Sequence, residues 1–195
     1  MKLSKLLFKN RSYTPLPFLV IMVIFAEPTI ISILVGFVIA LCGELLRFWG
    51  VCYIGSESRT TGKVGGTRLM VSGPFALVRN PLYVGNILIY SGIGVMSNAL
   101  FPFLLLVALL FFIFQYYLIV LDEEAYLRNE FKNDFEDYFK NVNRFIPGTK
   151  PYKKDQIKVE FDLKRGIASE RRTLQGFSIS VLIIIIIFVV QVYGK

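Results

Sequence analysis

Long apolar segments, separated by short polar stretches, set the organisation of this chain. Gly176–Tyr193 contains no charged residue, Ala99–Leu121 is almost as apolar, and Pro81–Asn98 forms a third such segment. Each is close to the ~20 residues that a helix needs to cross the hydrocarbon layer of a membrane. The pattern therefore predicts three transmembrane helices, the last of them over residues 173–194.

The N-terminal apolar segment, Pro15–Trp49, is longer than one crossing and is interrupted by Glu27-Pro28. A helical hairpin fits this pattern, with Pro15–Ala26 as the outward arm and Thr29–Trp49 as the returning arm, because proline ends or kinks a helix. One long tilted helix over the whole segment is the alternative. A cleaved signal peptide fits poorly, since prolines interrupt the apolar run and no small-residue cleavage site follows.

After the fourth span, apolar residues recur at helical spacing and predict an amphipathic helix through Leu127, Phe131, Phe135, Tyr138, Phe139 and Val142. Such a helix can lie against the membrane or cover a pocket. Lys150–Arg172 is mixed in charge and is predicted to connect this helix, along the membrane surface, to the last one. The chain is thus predicted to be a single all-α integral membrane domain over residues 1–195, with about five transmembrane helices.

Composition supports a membrane protein, and charge predicts its orientation. Hydrophobic residues make up 54% of the 195 residues, which is more than the core of a soluble domain of this size can hide. In the five-crossing arrangement, all of the 22 Lys and Arg residues except Lys195 fall on one face. The positive-inside rule makes that face cytoplasmic, with the N-terminus and the amphipathic helix inside and the C-terminus outside. The net charge of +8 then indicates contact with anionic membrane lipids, and nucleic acid is not a predicted partner.

Few residues could hold a metal ion, and no metal site is predicted. The chain has no histidine, and Cys42 and Cys52 are not spaced as metal ligands, so both are predicted to be small buried thiols. Gly62, Gly65 and Gly66 do not form a dinucleotide fingerprint, because no strand pattern precedes them. The inverted repeat with broken helices that marks many transporters is not apparent in the sequence.

A polar stretch punctuated by Gly and Pro lies between two apolar segments at Leu69–Gly85, which reads LMVSGPFALVRNPLYVG. Polar backbone at a membrane border is costly unless it builds a site. Asn80-Pro81 is a helix-start signal, and the amide donors of such a helix end can hold a carboxylate. A stripe of polar and small residues follows on one face of the helix, at Tyr83, Asn86, Tyr90 and Gly94. It fits either a pocket lining or helix packing through Gly85, Gly92 and Gly94.

Acidic residues end the fourth span at the same border, as Asp122-Glu123-Glu124. Glu124 could face inward towards a site or could pair with Arg128 on the surface of the helix. Glu44 and Arg47 lie one turn apart near the end of the second span. They could form an ion pair that joins a site, or they could extend to the membrane surface.

The two motifs together resemble the signature of membrane methyltransferases of the isoprenylcysteine carboxyl methyltransferase and phospholipid methyltransferase type. The matching residues are Gly73, Phe75, Arg79, Asn80, Pro81, Tyr83 and Gly85, followed one span later by Glu123, Glu124 and Leu127. The resemblance covers residues 69–147, the predicted catalytic core, which ends in the family-like Arg144-Phe145-Ile146-Pro147.

This resemblance implies S-adenosylmethionine as the cofactor, held on the cytoplasmic side between the third and fourth spans. The residues implied to bind it are Leu69, Met70, Phe75, Asn80, Pro81, Leu82, Tyr83 and Glu124. Catalytic roles are predicted for Arg79, which could orient a carboxylate acceptor, and for Glu123 and Glu124, either of which could deprotonate an amine acceptor. Asn80 stands where carboxyl methyltransferases have His, and Phe75 stands where they often have Tyr, so the acceptor class is open.

The predicted function is S-adenosylmethionine-dependent methyl transfer to a lipophilic acceptor from the bilayer, most like isoprenylcysteine carboxyl O-methylation. Phospholipid amine N-methylation and methylation of small hydrophobic thiols or amines are the alternatives in this class. A membrane scaffold that keeps the fold without binding a cofactor is the alternative outside it. Transfer from a sulfonium needs alignment and exclusion of water, so the lack of histidine is compatible with catalysis.

Overall fold

The computed structural model describes residues 2–55, 68–153 and 159–194, and so leaves out Gly62, Gly65 and Gly66. Six α-helices follow one another in these ranges, and a short 3-10 turn, Gly73–Ala76, precedes the fourth. The helices are α1 (Lys2–Asn10), α2 (Leu16–Ile24), α3 (Ile30–Ile54), α4 (Pro81–Ser97), α5 (Phe103–Asn141) and α6 (Leu163–Tyr193).

Three helices, α3, α5 and α6, are long and apolar enough to cross a membrane, and α4 is a shorter apolar helix of 17 residues. The predicted all-α membrane fold is therefore confirmed. The predicted first crossing corresponds to α2, whose nine residues reach only about 14 Å against the ~30 Å of the hydrocarbon layer. Helices of full spanning length are thus fewer, among the described residues, than the predicted five.

The interruption at Glu27-Pro28 separates two helices, and the alternative of one long helix over Pro15–Trp49 is wrong. A reciprocal cap fixes the start of α3. The backbone N–H of Ser32 donates to Thr29 Oγ1 at 3.1 Å, and the backbone N–H of Thr29 donates to Ser32 Oγ at 2.8 Å. This arrangement satisfies backbone donors that the first turn of a helix leaves without partners.

The fourth predicted span and the predicted amphipathic helix form one element, α5, with non-helical backbone at Lys132, where φ is 45°. Beyond that point, Phe135 and Tyr138 lie on the apolar face and pack against Leu69 and Val71. This face is therefore buried against the segment that begins the first motif. Its packing fixes that segment beside the end of α5.

The last helix, α6, begins ten residues earlier than predicted, so the second part of the Lys150–Arg172 connector is helical. Asp162 accounts for the early start, because its Oδ1 accepts a hydrogen bond at 2.9 Å from the backbone N–H of Arg165. An aspartate in this position is a strong N-cap. The mixed charges of the connector therefore line the first turns of a helix.

The two cysteines differ in their surroundings. Cys52 is fully buried, and it lies so close to Gly166 that a Cβ atom added to this glycine would clash with Cys52 Sγ. Cys42 is exposed. The prediction of a small buried thiol is confirmed for Cys52 and is wrong for Cys42, which lies on an outward face of α3.

The described residues divide into two compact units. The first unit consists of the described parts of residues 1–9, 46–84 and 115–170, and the second of those of residues 10–45, 85–114 and 171–195. Every residue implied to bind the cofactor or predicted to act in catalysis belongs to the first unit.

In the second unit, α3 and α4 approach each other closely through glycines. A Cβ atom added to Gly92 would lie 2.5 Å from the carbonyl oxygen of Gly36, and one added to Gly43 would lie 2.6 Å from that of Gly85. Such contacts are typical of small-residue interfaces between membrane helices. The packing interpretation of Gly85 and Gly92 is therefore confirmed.

Tyr90 and Gly94, from the predicted polar stripe, also pack within the second unit. The rings of Tyr90 and Phe112 stack with their centroids 4.7 Å apart. A Cβ atom added to Gly94 would lie 3.0 Å from Leu105 Cδ1. This part of the stripe serves contacts between helices.

Gly92→Ala is expected to lower the free energy of unfolding by about 1–3 kcal/mol, because the new methyl group meets backbone atoms of α3 that cannot move aside. Gly176→Ala is the matched control, since no atom lies within 4 Å of a Cβ atom added there. Alanine has a higher helix propensity than glycine, by up to about 1 kcal/mol, so Gly176→Ala should not destabilise the protein. Thermal unfolding in detergent measures the stability of both variants. Equal unfolding midpoints for Gly92→Ala and Gly176→Ala would contradict the close approach of α3 and α4.

Candidate active site

Backbone hydrogen bonds fasten the loop before α4 to the segment after α5. The backbone N–H of Arg79 donates to the carbonyl of Asn143 at 2.9 Å, and that of Gly148 donates to the carbonyl of Leu77 at 2.8 Å. Val78 and Asn143 form an isolated parallel β-bridge. These contacts hold the first motif beside the chain that follows the acidic triplet.

Glu124 accepts hydrogen bonds from two arginines, one on each of these segments. Arg79 Nε and Nη2 lie 3.2 and 3.0 Å from Glu124 Oε1. Arg144 Nε lies 3.0 Å from Oε1, and Arg144 Nη2 lies 2.6 Å from Oε2. We call Arg79, Glu124 and Arg144 the Glu124 cluster; it ties the end of the fourth predicted span to both sides of the site.

Arg79 is committed to contacts within the protein. Its Nη1 also donates to the carbonyls of Phe139, at 2.8 Å, and Val142, so four of its five N–H donors are used. Its guanidinium lies 4.2 Å from the centroid of the Phe139 ring. The Arg79 side chain is only 8% exposed. Arg79 is therefore placed to hold Glu124 and the end of α5 and has little capacity to bind an acceptor carboxylate, the role predicted for it.

Arg144, for which the sequence predicted no role in the site, is the second cation of the cluster. Its side chain is 26% exposed, against 9% for Glu124. The hydrogen bond to Glu124 raises the pKa of Arg144 above its ordinary value, so the guanidinium stays charged. Arg144 thus presents a fixed positive charge at the edge of the cluster.

Glu123, next to the cluster on α5, contacts the first turn of α4. Tyr83 Oη donates a hydrogen bond to Glu123 Oε1 at 2.8 Å. The Tyr83 ring stacks on that of Tyr116, with centroids 4.7 Å apart. Adjacent helical residues point about 100° apart, so Glu123 and Glu124 face different neighbours. The triplet therefore contains two carboxylates with separate partners.

The predicted helix start at Asn80-Pro81 is confirmed, since α4 begins at Pro81. The Asn80 side chain also contacts the segment after α5. Its Nδ2 donates to the carbonyl oxygen of Arg144 at 3.1 Å. Asn80 therefore adds a further link between the start of α4 and the segment that carries Arg144.

The apolar residues implied to contact the cofactor lie in two buried clusters of the first unit. Leu69 packs among the last turns of α5, whereas Met70 and Phe75 pack with Val159, and Leu82 lies beside them. Phe75 also accepts a hydrogen bond on its carbonyl oxygen, from Tyr138 Oη at 2.7 Å. These contacts order the loop that leads into α4.

The remaining charged residues form separate contacts. Arg128 pairs with Glu136, so the alternative of a surface bridge between Arg128 and Glu124 is wrong. Arg47 Nη2 lies 2.7 Å from Oε1 of Glu170, a fully buried residue of α6. Asp122 accepts a hydrogen bond from Ser4. Asp122 and Glu170 thus bind elements other than the first motif.

A comparison with known families identifies the chain. The profile of the phospholipid methyltransferase family matches residues 31–134, more than half of the sequence, from the start of α3 into the last part of α5. This chain belongs to the phospholipid methyltransferase family. The matched region contains Arg79, Asn80, Tyr83, Glu123 and Glu124, and the resemblance inferred from the two motifs is thereby confirmed.

Two curated relatives carry names that describe resistance to metal ions. The cobalt-zinc-cadmium resistance protein CzcN of Cupriavidus metallidurans is 31% identical over 107 residues, which cover 55% of this chain and 45% of that protein. The nickel-cobalt-cadmium resistance protein NccN of Alcaligenes xylosoxydans xylosoxydans is 29% identical over 101 residues, 52% of this chain and 43% of that protein. The matches thus span less than half of either relative. No solved structure matches the chain significantly.

Arg144 lies beyond the part of the chain that matches the phospholipid methyltransferase profile. The sequence signal for it was the family-like ending Arg144-Phe145-Ile146-Pro147, which gave no indication of a contact. Only the folded chain brings Arg144 to Glu124, 20 residues away in sequence. In this phospholipid methyltransferase family member, the candidate site therefore extends past the matched region.

Proposed function

We propose that this chain transfers a methyl group from S-adenosylmethionine to a lipophilic acceptor that resides in the membrane. The proposal rests on one observation in a chain of known family: the two sequence motifs come together in a single site. Both motif halves meet in the first unit, where Glu123 contacts Tyr83 and Glu124 contacts Arg79. The Glu124 contacts would also serve a scaffold that keeps the fold, so the contact of Glu123 with Tyr83 is the part of the site that favours an enzyme.

The charged side chains of the first unit fit the charged half of the cofactor. S-Adenosylmethionine carries a sulfonium, an ammonium and a carboxylate, and when bound it supplies an activated methyl group. Glu123, with its hydrogen bond from Tyr83, would hold the cationic groups. Arg144, the more exposed cation of the Glu124 cluster, would hold the carboxylate. Leu69, Met70, Phe75, Asn80, Pro81 and Leu82 stay proposed as the segment that lines the cofactor site.

The two glutamates are proposed to have different roles. Glu124 is saturated by two guanidinium groups and would act as a positioning residue, together with Arg79. Glu123 would be the catalytic residue. For an amine acceptor, the nitrogen must lose a proton to become a nucleophile, and the Glu123 carboxylate would accept that proton.

An amine is the acceptor class that these contacts favour over a carboxylate. The argument for a carboxylate acceptor depended on Arg79 as its partner. Four of the five N–H donors of Arg79, however, form hydrogen bonds within the protein. Isoprenylcysteine carboxyl O-methylation, the function predicted from the sequence, is therefore the second candidate. The acceptor would enter from the bilayer, and we propose that the site faces the cytoplasm, as the distribution of basic residues predicts.

S-Adenosylhomocysteine is expected to bind the purified, detergent-solubilised chain with a dissociation constant below about 1 mM, within the usual range for enzyme ligands. Isothermal titration calorimetry measures this directly and needs no acceptor. Methyl-labelled cofactor, offered with phosphatidylethanolamine or with an S-prenylated cysteine, then identifies the acceptor class. A chain that binds no cofactor analogue at millimolar concentration would be a scaffold.

A further inference from the structure

A cavity of about 470 Å³ lies wholly within the second unit, among residues that the site does not use. Its polar lining comes from Glu27, Asn98 and Gln191, and its apolar lining includes Phe25, Leu100 and Phe101. Glu27 follows α2, Asn98 follows α4, and Gln191 lies in the last turn of α6. On the orientation predicted from charge, all three are at the non-cytoplasmic border.

Hydrogen bonding leaves acceptor oxygens at this cavity. Asn98 Nδ2 donates to the carbonyl of Glu27 at 3.1 Å, and Gln191 Nε2 donates to the carbonyl of Ala26 at 2.9 Å. Among the described residues, no donor contacts the side-chain oxygen of either amide, so both oxygens can accept a hydrogen bond from a ligand. The Glu27 carboxylate is exposed and forms no ion pair within the described residues. Two amide oxygens and one carboxylate favour a ligand that donates hydrogen bonds.

The ends of three helices add negative charge. α2 ends at Ile24, α4 ends at Ser97 and α6 ends at Tyr193, so the C-terminal ends of all three lie at or next to the cavity lining. Each helix C-terminus carries about half an elementary negative charge. None of the residues that line the cavity is Lys or Arg. The electrostatics therefore favour a cation.

We propose that this cavity binds the primary ammonium group of a zwitterionic phospholipid, separately from the methyl-transfer site. A primary ammonium has three N–H donors for the three acceptor groups, whereas a quaternary ammonium has none. The exposed side chains of Phe25, Leu100 and Phe101 provide apolar surface for the chains of a lipid. A soluble amine without an apolar part would leave that surface uncovered, whereas a lipid fits both parts of the cavity.

Native mass spectrometry of the purified chain, with phosphatidylethanolamine and phosphatidylcholine of identical acyl chains, tests this proposal. The two lipids have the same charge and differ in the N–H donors of the head. We expect preferential retention of phosphatidylethanolamine, and Glu27→Gln should weaken that retention about tenfold, to the level of phosphatidylcholine. Glu130→Gln, which changes an exposed carboxylate in the first unit, is the matched control and should leave the preference unchanged.

The outcomes separate this site from the methyl-transfer site. If Glu123→Gln removes the preference and Glu27→Gln does not, the lipid is held by the methyl-transfer site and the proposal is wrong. Equal retention of the two lipids by the unmodified chain would overturn it as well. Glu27→Gln should bind S-adenosylhomocysteine as the unmodified chain does, so failure of the cofactor titration bears on the methyl-transfer proposal alone.

Discussion

Glu124→Ala is expected to lower the free energy of unfolding by about 3–5 kcal/mol and to abolish methyl transfer, because it leaves a buried charge without its partner. The Arg79 side chain is 8% exposed, and Glu124 is its only acidic partner among the described residues. Loss of the carboxylate also releases Arg144. The loop before α4 and the segment after α5 would then lose their common anchor. Thermal unfolding in detergent and transfer from labelled cofactor measure the two effects.

A control on the same helix separates the effect of burial on stability from the effect of losing a charge. Glu136→Gln removes the pairing with Arg128, but these side chains are 39% and 49% exposed. Exposed ion pairs contribute about 0–1 kcal/mol, so Glu136→Gln should unfold nearly as the unmodified chain does. If Glu124→Ala were as stable as this control, the Glu124 cluster would not be the anchor that its geometry indicates.

The meeting of the two motifs could be predicted from the sequence. Helices joined by a short connection run antiparallel and pack side by side, and residues 98–102 are such a connection between α4 and α5. The start of one helix and the late turns of the other then lie together, as Tyr83 and Glu123 do. Local signals sufficed, because the proline fixed the start of α4 and the apolar run fixed the course of α5.

The partners of each charge could not be predicted in the same way. On sequence alone, Glu124→Gln should weaken cofactor binding and leave folding intact. The structure changes this expectation, since Glu124 joins two arginines that no periodic pattern connects to it. From the sequence, Glu124 could pair with Arg128, one turn away, or with Arg144, which lies beyond the kink at Lys132. Which arginine it contacts depends on how the chain turns after α5. That turn is a tertiary property.

The sequence did not reveal the short length of α2 or the early start of α6, for two different reasons. Apolar composition over Pro15–Ala26 does not reveal that only nine residues of it are helical. For α6, the cap at Asp162 is a local signal, but the surrounding charges indicated a surface connector. Charges on the first turns of a long membrane helix are compatible with a position outside the hydrocarbon layer.

Glu123→Gln is expected to lower the rate of methyl transfer to an amine acceptor by about 10²–10⁴-fold while the protein stays folded. Glutamine has nearly the same shape, and its side-chain oxygen can still accept the hydrogen bond from Tyr83, but it cannot take a proton. Initial rates with labelled cofactor measure the loss, and the thermal midpoint checks the fold. Tyr83→Phe, which removes only the hydrogen bond, should have a smaller effect, about tenfold.

The loss of rate expected for Glu123→Gln depends on the acceptor. A carboxylate acceptor is already a nucleophile and has no proton to lose, so with an S-prenylated cysteine Glu123→Gln should change the rate only through cofactor binding. The rate at saturating cofactor would then stay close to that of the unmodified chain. A large loss with phosphatidylethanolamine and a small one with the prenylated cysteine would identify Glu123 as the base. Equal losses with both acceptors would restrict Glu123 to holding the cofactor, and full activity of Glu123→Gln with the amine would refute its role as base.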